Sequence, residues 1–289
     1  MPAPTPPAKN PPIAHPPDLA AQVERALQED IGSGDLTAAL IPAARTGHAS
    51  VITREPAILC GVPYVDATFA QLDPAVRVDW QVAEGDPVVT GQILFRVAGP
   101  ARALLTGERT ALNFLQLLSA TATAAHAYAV LIEDTGCRVL DTRKTIPGLR
   151  SAQKYAVRVG GGRNHRMGLF DAILIKENHI MAAGGVAAAV RAARHDVDAV
   201  TMLQVEVETL EQLREALDAG ARLILLDNFD LARMREAVKI AGDRAELEAS
   251  GGVSLETVRA IAETGVQRIS IGTLTKDIDA LDLSMRFMH

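Results

Sequence analysis

From Cys137 onward the chain alternates short runs rich in β-branched and aliphatic residues with helical segments, and no other feature restricts the fold as much. The strand-like runs are RVLDTRK, AILIKEN, TMLQVEVE, RLILLDN, AELEASGG and RISIGTLT. Between them fall the helical patterns GVAAAVRAARHD, LEQLREALDAG, LARMREAVKIAG and LETVRAIAETG. A chain that alternates in this way needs crossover connections, and right-handed crossovers wind it into a parallel sheet. Six such strands predict an open (β/α) barrel over residues 120–277.

Residues 18–119 have a different texture and predict a sandwich-like N-terminal α/β domain, onto which residues 278–289 pack back. DLAAQVERALQED, from Asp18 to Asp30, places an Asp at a cap position ahead of apolar residues at helical spacing. The β-like runs ASVITREPAIL, VRVDWQVAE and ILFRVAG follow, with the helical VPYVDATFAQL between the first two and turn chemistry in EGDP and VTGQ. An Ala- and Leu-dense helical stretch, ARALLTGERTALNFLQLLSATATAAHAYAVLIEDTG, leads into the barrel. The first seventeen residues hold eight prolines and predict a disordered tail. No run is read as reaching the ~20 apolar residues that span a bilayer. Cys60 and Cys137 lie far apart without metal-ligand spacing, so both are read as reduced structural thiols of a cytoplasmic protein. A net charge of −6 with only 3% aromatic residues argues against a nucleic-acid partner.

Polar residues end every barrel strand in turn: Arg143 and Lys144, then Lys176, Glu206, Asp227, Ser250 with Gly251 and Gly252, and Gly272 with Thr273. Any one of these fits a helix cap or a solvated loop. Barrel enzymes build their sites on that rim, so the set predicts one shared mouth. The stretch from Asp141 to Ile180 carries eight Lys and Arg against three acidic residues, a cationic island in an acidic chain. Such self-repulsion is relieved by a polyanionic ligand. The loop GGGRNHRMG adds His165 and Arg166, and its three glycines leave the backbone free to fold over a ligand. Guanidinium forks match carboxylates, whereas Lys acts as a point charge. Glu206 and Asp227 end adjacent strands and suit Mg2+ shared with substrate phosphates, the alternative being ion pairs with a rim Lys or Arg. Glu208, two residues on, is read as starting the next helix. The SGG and GT strand ends suit a phosphate, though a bare SGG also suits a turn. Arg109, beside Glu108, reads as half of a surface ion pair. The inventory suggests a phosphorylated substrate with Mg2+ beside a carboxylate-bearing one.

Several blocks together carry a resemblance that covers nearly the whole chain after the tail. They are ALQEDIGSGDLT, ERTALNFLQLLSATAT, DTRKTIPGLR, KYAVRVGGGRNHRMGLFDAILIKENH, VEVETLEQL, LLDN, EASGG and ISIGTLT. The chain resembles the quinolinate phosphoribosyltransferase family. That resemblance implies conversion of quinolinate and phosphoribosyl diphosphate into nicotinate mononucleotide, CO2 and diphosphate with Mg2+, in NAD synthesis. It also implies a homodimer with its sites at the subunit interface. Arg143, His165, Arg166 and Lys176 would surround the quinolinate carboxylates, with Thr142 also among the substrate-binding residues. Arg109 would reach across from the partner subunit, which replaces the ion-pair reading. Lys144, Glu206 and Asp227 would hold the ribose, diphosphate and metal, and Ser250 to Gly252 with Ile271 to Thr273 would cradle the 5-phosphate. Catalysis would fall to Lys144, Lys176, Glu206 and Asp227. The chain departs from the family pattern at Ala120 and Thr121, Ile146, Gln153 and Lys276. Two rivals use the same residues: a Schiff-base aldolase built on Lys176, and a paralogue that serves another acceptor or only binds anions or metal.

Overall fold

Two compact units emerge from the contacts in the computed structural model, which describes residues 13–195 and 202–288. The first comprises the chain up to His126, Thr145–Gly161 and the chain from Leu274 onward; the second comprises Ala127–Lys144 and Gly162–Thr273. The first unit opens with α1 (Leu19–Ile31), a 3-10 turn at Ala38–Leu40, β1 (Thr46–Thr53), β2 (Ala57–Ile58) and α2 (Val62–Leu72). It continues through β3 (Arg77–Trp80), β4 (Pro87–Val88), β5 (Ile93–Pro100) and α3 (Ala101–Leu131), whose last turn enters the second unit.

In the first unit a four-stranded antiparallel sheet is completed by the C-terminal strand β12 (Leu283–Phe287), in the order β12-β1-β5-β3. Residues alternate across each strand, so Ala49 and Val51 of β1 and Phe95 and Val97 of β5 point into one core. Leu104, Ala111, Leu112 and Leu115 of α3 fill the same core. Each fully buried Leu of this kind contributes roughly 1.5–3 kcal/mol. By length and composition α3 could also cross a membrane, contrary to the sequence reading that no stretch qualifies. Its 31 residues escape a simple count because Arg102, Glu108 and Arg109 interrupt the first turns, and the face through Leu104, Leu112 and Leu115 is core.

Local chemistry sets the helix ends. Asp18 stands at the cap position of α1, but its carboxylate accepts from the Gln22 side chain (3.1 Å) rather than from a backbone N–H. The start of α2 is capped from a distance: the Glu84 carboxylate accepts from the N–H groups of Gly61 and Val62 at 3.0 and 2.9 Å. The expected disorder of the Pro-rich tail concerns mainly residues 1–12, outside the described residues. Residues 13–17 are placed: Ile13 packs on the core, and the Ala14 carbonyl accepts from Arg158 (2.9 Å). Arg158 lies on α4 (Arg150–Val159), a helix the sequence reading did not give.

The second unit is the parallel sheet. Its strands are β6 (Arg138–Leu140), β7 (Ala172–Ile175), β8 (Met202–Val207), β9 (Leu223–Asp227), β10 (Glu246–Ser250) and β11 (Arg268–Ser270), in the spatial order β6-β11-β10-β9-β8-β7. Every neighbouring pair is parallel. The order follows the chain except that β6 joins β11, and no β6–β7 ladder forms. The result is the open, six-stranded parallel architecture expected. The helices between are α5 (Glu177–Ala183), α6 (Val186–His195), α7 (Leu210–Asp218), α8 (Leu231–Ala241) and the short α9 (Val258–Ala262), and α10 (Thr273–Lys276) follows β11. Thr209 and Asp230 cap α7 and α8 by accepting from the N–H groups of Gln212 and Arg233 at 3.2 and 2.8 Å.

Candidate active site

Alternation along the barrel strands decides which side chains meet. Counting in twos gives Leu174 and Lys176 from β7, Gln204 and Glu206 from β8, Leu225 and Asp227 from β9, Glu248 and Ser250 from β10, and Ser270 from β11. All but Gln204 line a single cavity of about 440 Å3, within the ~300–1,000 Å3 usual for small-molecule sites. Thr142, Arg143, Lys144, His165 and Arg166 complete its wall. Nine residues singled out from the sequence therefore share one mouth: Thr142, Arg143, Lys144, His165, Arg166, Lys176, Glu206, Asp227 and Ser250.

The remaining candidates lie elsewhere or beside the cavity. Gly251 and Gly252 are exposed and follow Ser250 directly. A Cβ added at Gly272 would meet the Lys144 side chain at 3.0 Å and Thr142 Oγ1 at 3.7 Å, so this strand end abuts the cavity wall. Ile271 is buried, and Thr273, two residues on, keeps a buried hydroxyl with no hydrogen-bond partner among the described residues. Arg109 is exposed on α3, in the first unit. Glu208 is exposed and does not start α7 as expected: the helix begins at Leu210 behind its cap Thr209, and the Glu208 N–H donates to the Gln212 side chain. A second cavity, about 490 Å3, belongs to the first unit, but its charged lining is Arg25 against Glu29 and Asp30, a poor match for a polyanion.

The loop that carries His165 and Arg166 is built into the sheet edge and is not a free flap. Arg163 makes a parallel bridge with Leu140, donating its N–H to the Val139 carbonyl (2.8 Å) while its own carbonyl accepts from Asp141 N–H (3.1 Å). The fully buried Asp141 carboxylate then accepts from His165 N–H at 2.8 Å and from the Asn164 amide at 2.5 Å. Of the preceding glycines, Gly160 serves packing and not a mobile cover: a Cβ there would sit 2.2 Å from the Ala122 carbonyl oxygen of α3. Only glycine lets these two backbones approach.

Charge is arranged unevenly within the cavity. Burial, and then the neighbouring Arg143 guanidinium, lower the Arg166 pKa against the opposing pull of Asp171. An anion bound between the two guanidiniums would relieve that repulsion. Lys176 directly follows β7 and pairs with Glu206 of β8 at 2.6 Å. The ion-pair alternative weighed for the two acidic residues therefore holds for Glu206 in this structure. Asp227 instead accepts from the Asn228 amide at 2.9 Å. Asn228 takes a positive φ of 55°, and its side chain occupies the space where a Cβ on Gly251 would lie, 2.1 Å away.

Sequence reasoning missed three buried polar residues around this cavity. Asp141 anchors the loop, while Gln204 and Glu248 form a chain beneath the rim: His165 Nε2 meets Gln204 Oε1 at 2.8 Å, and Gln204 Nε2 donates to Glu248 Oε2 at 3.0 Å. The signal was available, since each lies two residues before a strand-end residue already noted: 204 before Glu206, 248 before Ser250, and 141 before Arg143.

Residues 35–119 match the family described as quinolinate phosphoribosyl transferase, N-terminal domain, and residues 121–286 match its C-terminal domain. The chain belongs to the quinolinate phosphoribosyl transferase family. A relative from Bacillus subtilis (strain 168), named probable nicotinate-nucleotide pyrophosphorylase [carboxylating], is 42% identical over 257 residues, 89% of each chain. Quinolinate phosphoribosyltransferase [decarboxylating] 1 of Nicotiana glauca is 39% identical over 296 residues, covering 95% of this chain and 84% of its own. The nicotinate-nucleotide pyrophosphorylase structure from Francisella tularensis superposes with a TM-score of 0.91 at 45% identity, covering 96% of this chain and 98% of that one.

Membership in the phosphoribosyl transferase family sets aside the Schiff-base aldolase. It also gives the departures a structural reading. Gln153, fully buried on α4, accepts from Ile146 N–H (2.8 Å) and donates to the Thr275 carbonyl (2.9 Å), a pairing that needs an amide. Lys276 pairs with its neighbour Asp277 at 2.7 Å.

Proposed function

We infer that this chain transfers the phosphoribosyl group of phosphoribosyl diphosphate to quinolinate with loss of CO2, giving nicotinate mononucleotide and diphosphate. The observation that carries the reading is the cavity itself, where Arg143, Arg166, Lys144 and Lys176 meet Glu206 and Asp227. A diacid and a sugar pyrophosphate bound side by side require both kinds of group within one mouth.

Arg143 and Arg166, with His165 and Lys176, take the two quinolinate carboxylates, the guanidinium forks fixing the ring plane. Thr142, Ser250 to Gly252 and Ile271 to Thr273 take the 5-phosphate, and the unpartnered Thr273 hydroxyl is a donor in reserve for it. Two carboxylates plus phosphate oxygens suffice for Mg2+. Glu206 and Asp227 supply those two, and among the described residues no cluster of three or more His, Cys, Asp or Glu competes. Bound there, Mg2+ would neutralise charge on the departing diphosphate. Lys176, paired with Glu206 in this structure, would then be released toward the substrate carboxylate. Lys144 stabilises the leaving group as the C1–O bond breaks with its electron pair. The quinolinate nitrogen donates its lone pair to C1. The pyridinium so formed accepts the electrons left when the C2 carboxylate departs, and C2 takes a proton from solvent.

A homodimer with Arg109 contributed across the interface completes the reading. Its support is exposed apolar surface in the same unit: Leu105 precedes Arg109 by one helical turn, and Leu36 and Leu40 are 87% and 81% exposed. The two buried free thiols, Cys60 and Cys137, support a reducing, cytoplasmic location. The deciding assay is release of labelled CO2 from carboxyl-labelled quinolinate. Release that depends on phosphoribosyl diphosphate supports the reading, and none in its presence refutes it.

A further inference from the structure

A pocket walled by four cations attracts any small anion, so discrimination among aromatic diacids needs a repulsive element as well as attractive ones. Glu248 has the attributes of that element. It lies one inward-facing step below Ser250 on β10, lines the cavity, and is fully buried. Its Oε2 accepts from Gln204 Nε2 at 3.0 Å, while its Oε1 is buried without a hydrogen-bond partner among the described residues, 3.7 Å from His165 Nε2. A carboxylate only accepts hydrogen bonds, and a dianionic ring offers no donor to its second oxygen. A carboxylate group of a ligand therefore finds repulsion at this point of the cavity and attraction at Arg143, Arg166, Lys144 and Lys176.

We propose that Glu248 is a specificity-determining residue: its floor charge excludes pyridine diacids whose second carboxylate would reach the floor. Quinolinate, with adjacent carboxylates, presents both to the arginine wall and turns its uncharged ring edge toward Glu248. Isomers with separated carboxylates cannot keep both on that wall. The proposal rests on the quinolinate reading above, and its experiment tests the two separately.

Glu248→Gln keeps the side chain's shape and an oxygen for Gln204, but replaces the charged acceptor by a neutral amide that can donate into the cavity. The measurement is competitive inhibition of phosphoribosyl diphosphate-dependent CO2 release by the 2,4- and 2,5-pyridinedicarboxylates, whose carboxylates are separated. The expected result is a fall of about tenfold or more in the ratio of isomer Ki to quinolinate KM. Glu248→Asp, which keeps the charge, retains the wild-type ratio. Should the Gln variant fail to fold, Glu248→Met is the neutral replacement that carries the same expectation. An unchanged ratio in the neutral variant, or a uniform loss of affinity for quinolinate and its isomers, overturns the proposal and leaves the activity standing. A wild-type chain that does not turn over quinolinate overturns the activity itself.

Discussion

The anchor beneath the His165 loop gives the sharpest quantitative expectation. In Asp141→Ala, His165 N–H and the Asn164 amide both lose a buried carboxylate acceptor, at 2.8 and 2.5 Å. Leaving a buried donor unsatisfied costs ~1–3 kcal/mol each, so about 2–6 kcal/mol of local stability is lost. The backbone bridge between Leu140 and Arg163 survives, because it uses no side chain. The loss is therefore local, an opening of residues 163–166 from an otherwise folded sheet. In Asp141→Asn one oxygen still accepts and the Asn164 amide can turn to meet the new donor, so about half the penalty is expected. Hydrogen exchange followed by mass spectrometry reads the opening directly. We expect peptides covering residues 163–166 to exchange at least about tenfold faster in the Ala variant, with strands β8 to β10 unchanged and the quinolinate KM raised at least about tenfold. Wild-type exchange in that segment together with a wild-type KM refutes the anchoring role of Asp141.

Three further expectations are independent of that one. Gly251→Ala places a methyl group 2.1 Å from Asn228 Oδ1 at a φ of 101°, which should push the Asn228 amide off Asp227; steady-state kinetics should show the phosphoribosyl diphosphate KM raised and quinolinate affinity retained. Gln153→Glu removes the donor to the Thr275 carbonyl and buries a charge, so the thermal midpoint should fall, by an amount reflecting ~2–4 kcal/mol, in a melt followed by circular dichroism. The Asp134 pKa is lowered, chiefly by its hydrogen bond from Arg259. Its stabilisation is thus present above the ordinary carboxylate value and lost as pH falls through the lowered one. The destabilisation caused by Asp134→Asn in urea titrations should accordingly be largest near neutrality and shrink as the pH falls below the ordinary carboxylate value.

Much of the barrel was legible because two periods, that of the strand and that of the helix, alternate without interruption after β7. The rim residues followed from strand ends alone. The helix α4 was not legible, since RSAQKYAVRV has few strongly apolar residues, and its buried face includes Gln153 and Lys154. Asp141, Gln204 and Glu248 were hidden for a related reason. A polar residue inside a strand is ordinarily read as facing solvent, but in a barrel one set of alternate positions faces the lumen. The interior partners of Arg163 were beyond reach as well, because a bridge between a loop and a strand edge leaves no periodic trace. The pairing of Lys176 with Glu206 was anticipated only as an alternative. Register decides it: Ile175 stands beside Val205, so the next residues on both strands meet.

The claim on which the rest depends is that the Arg143 and Arg166 wall grips two carboxylates at once. Titration calorimetry with quinolinate and with nicotinate, which lacks one of the two, tests it most directly. The expected result is at least tenfold tighter binding of quinolinate by the wild-type chain, with the difference largely abolished in Arg166→Ala. Equal affinity for the two acids, or a difference that survives the loss of Arg166, contradicts it.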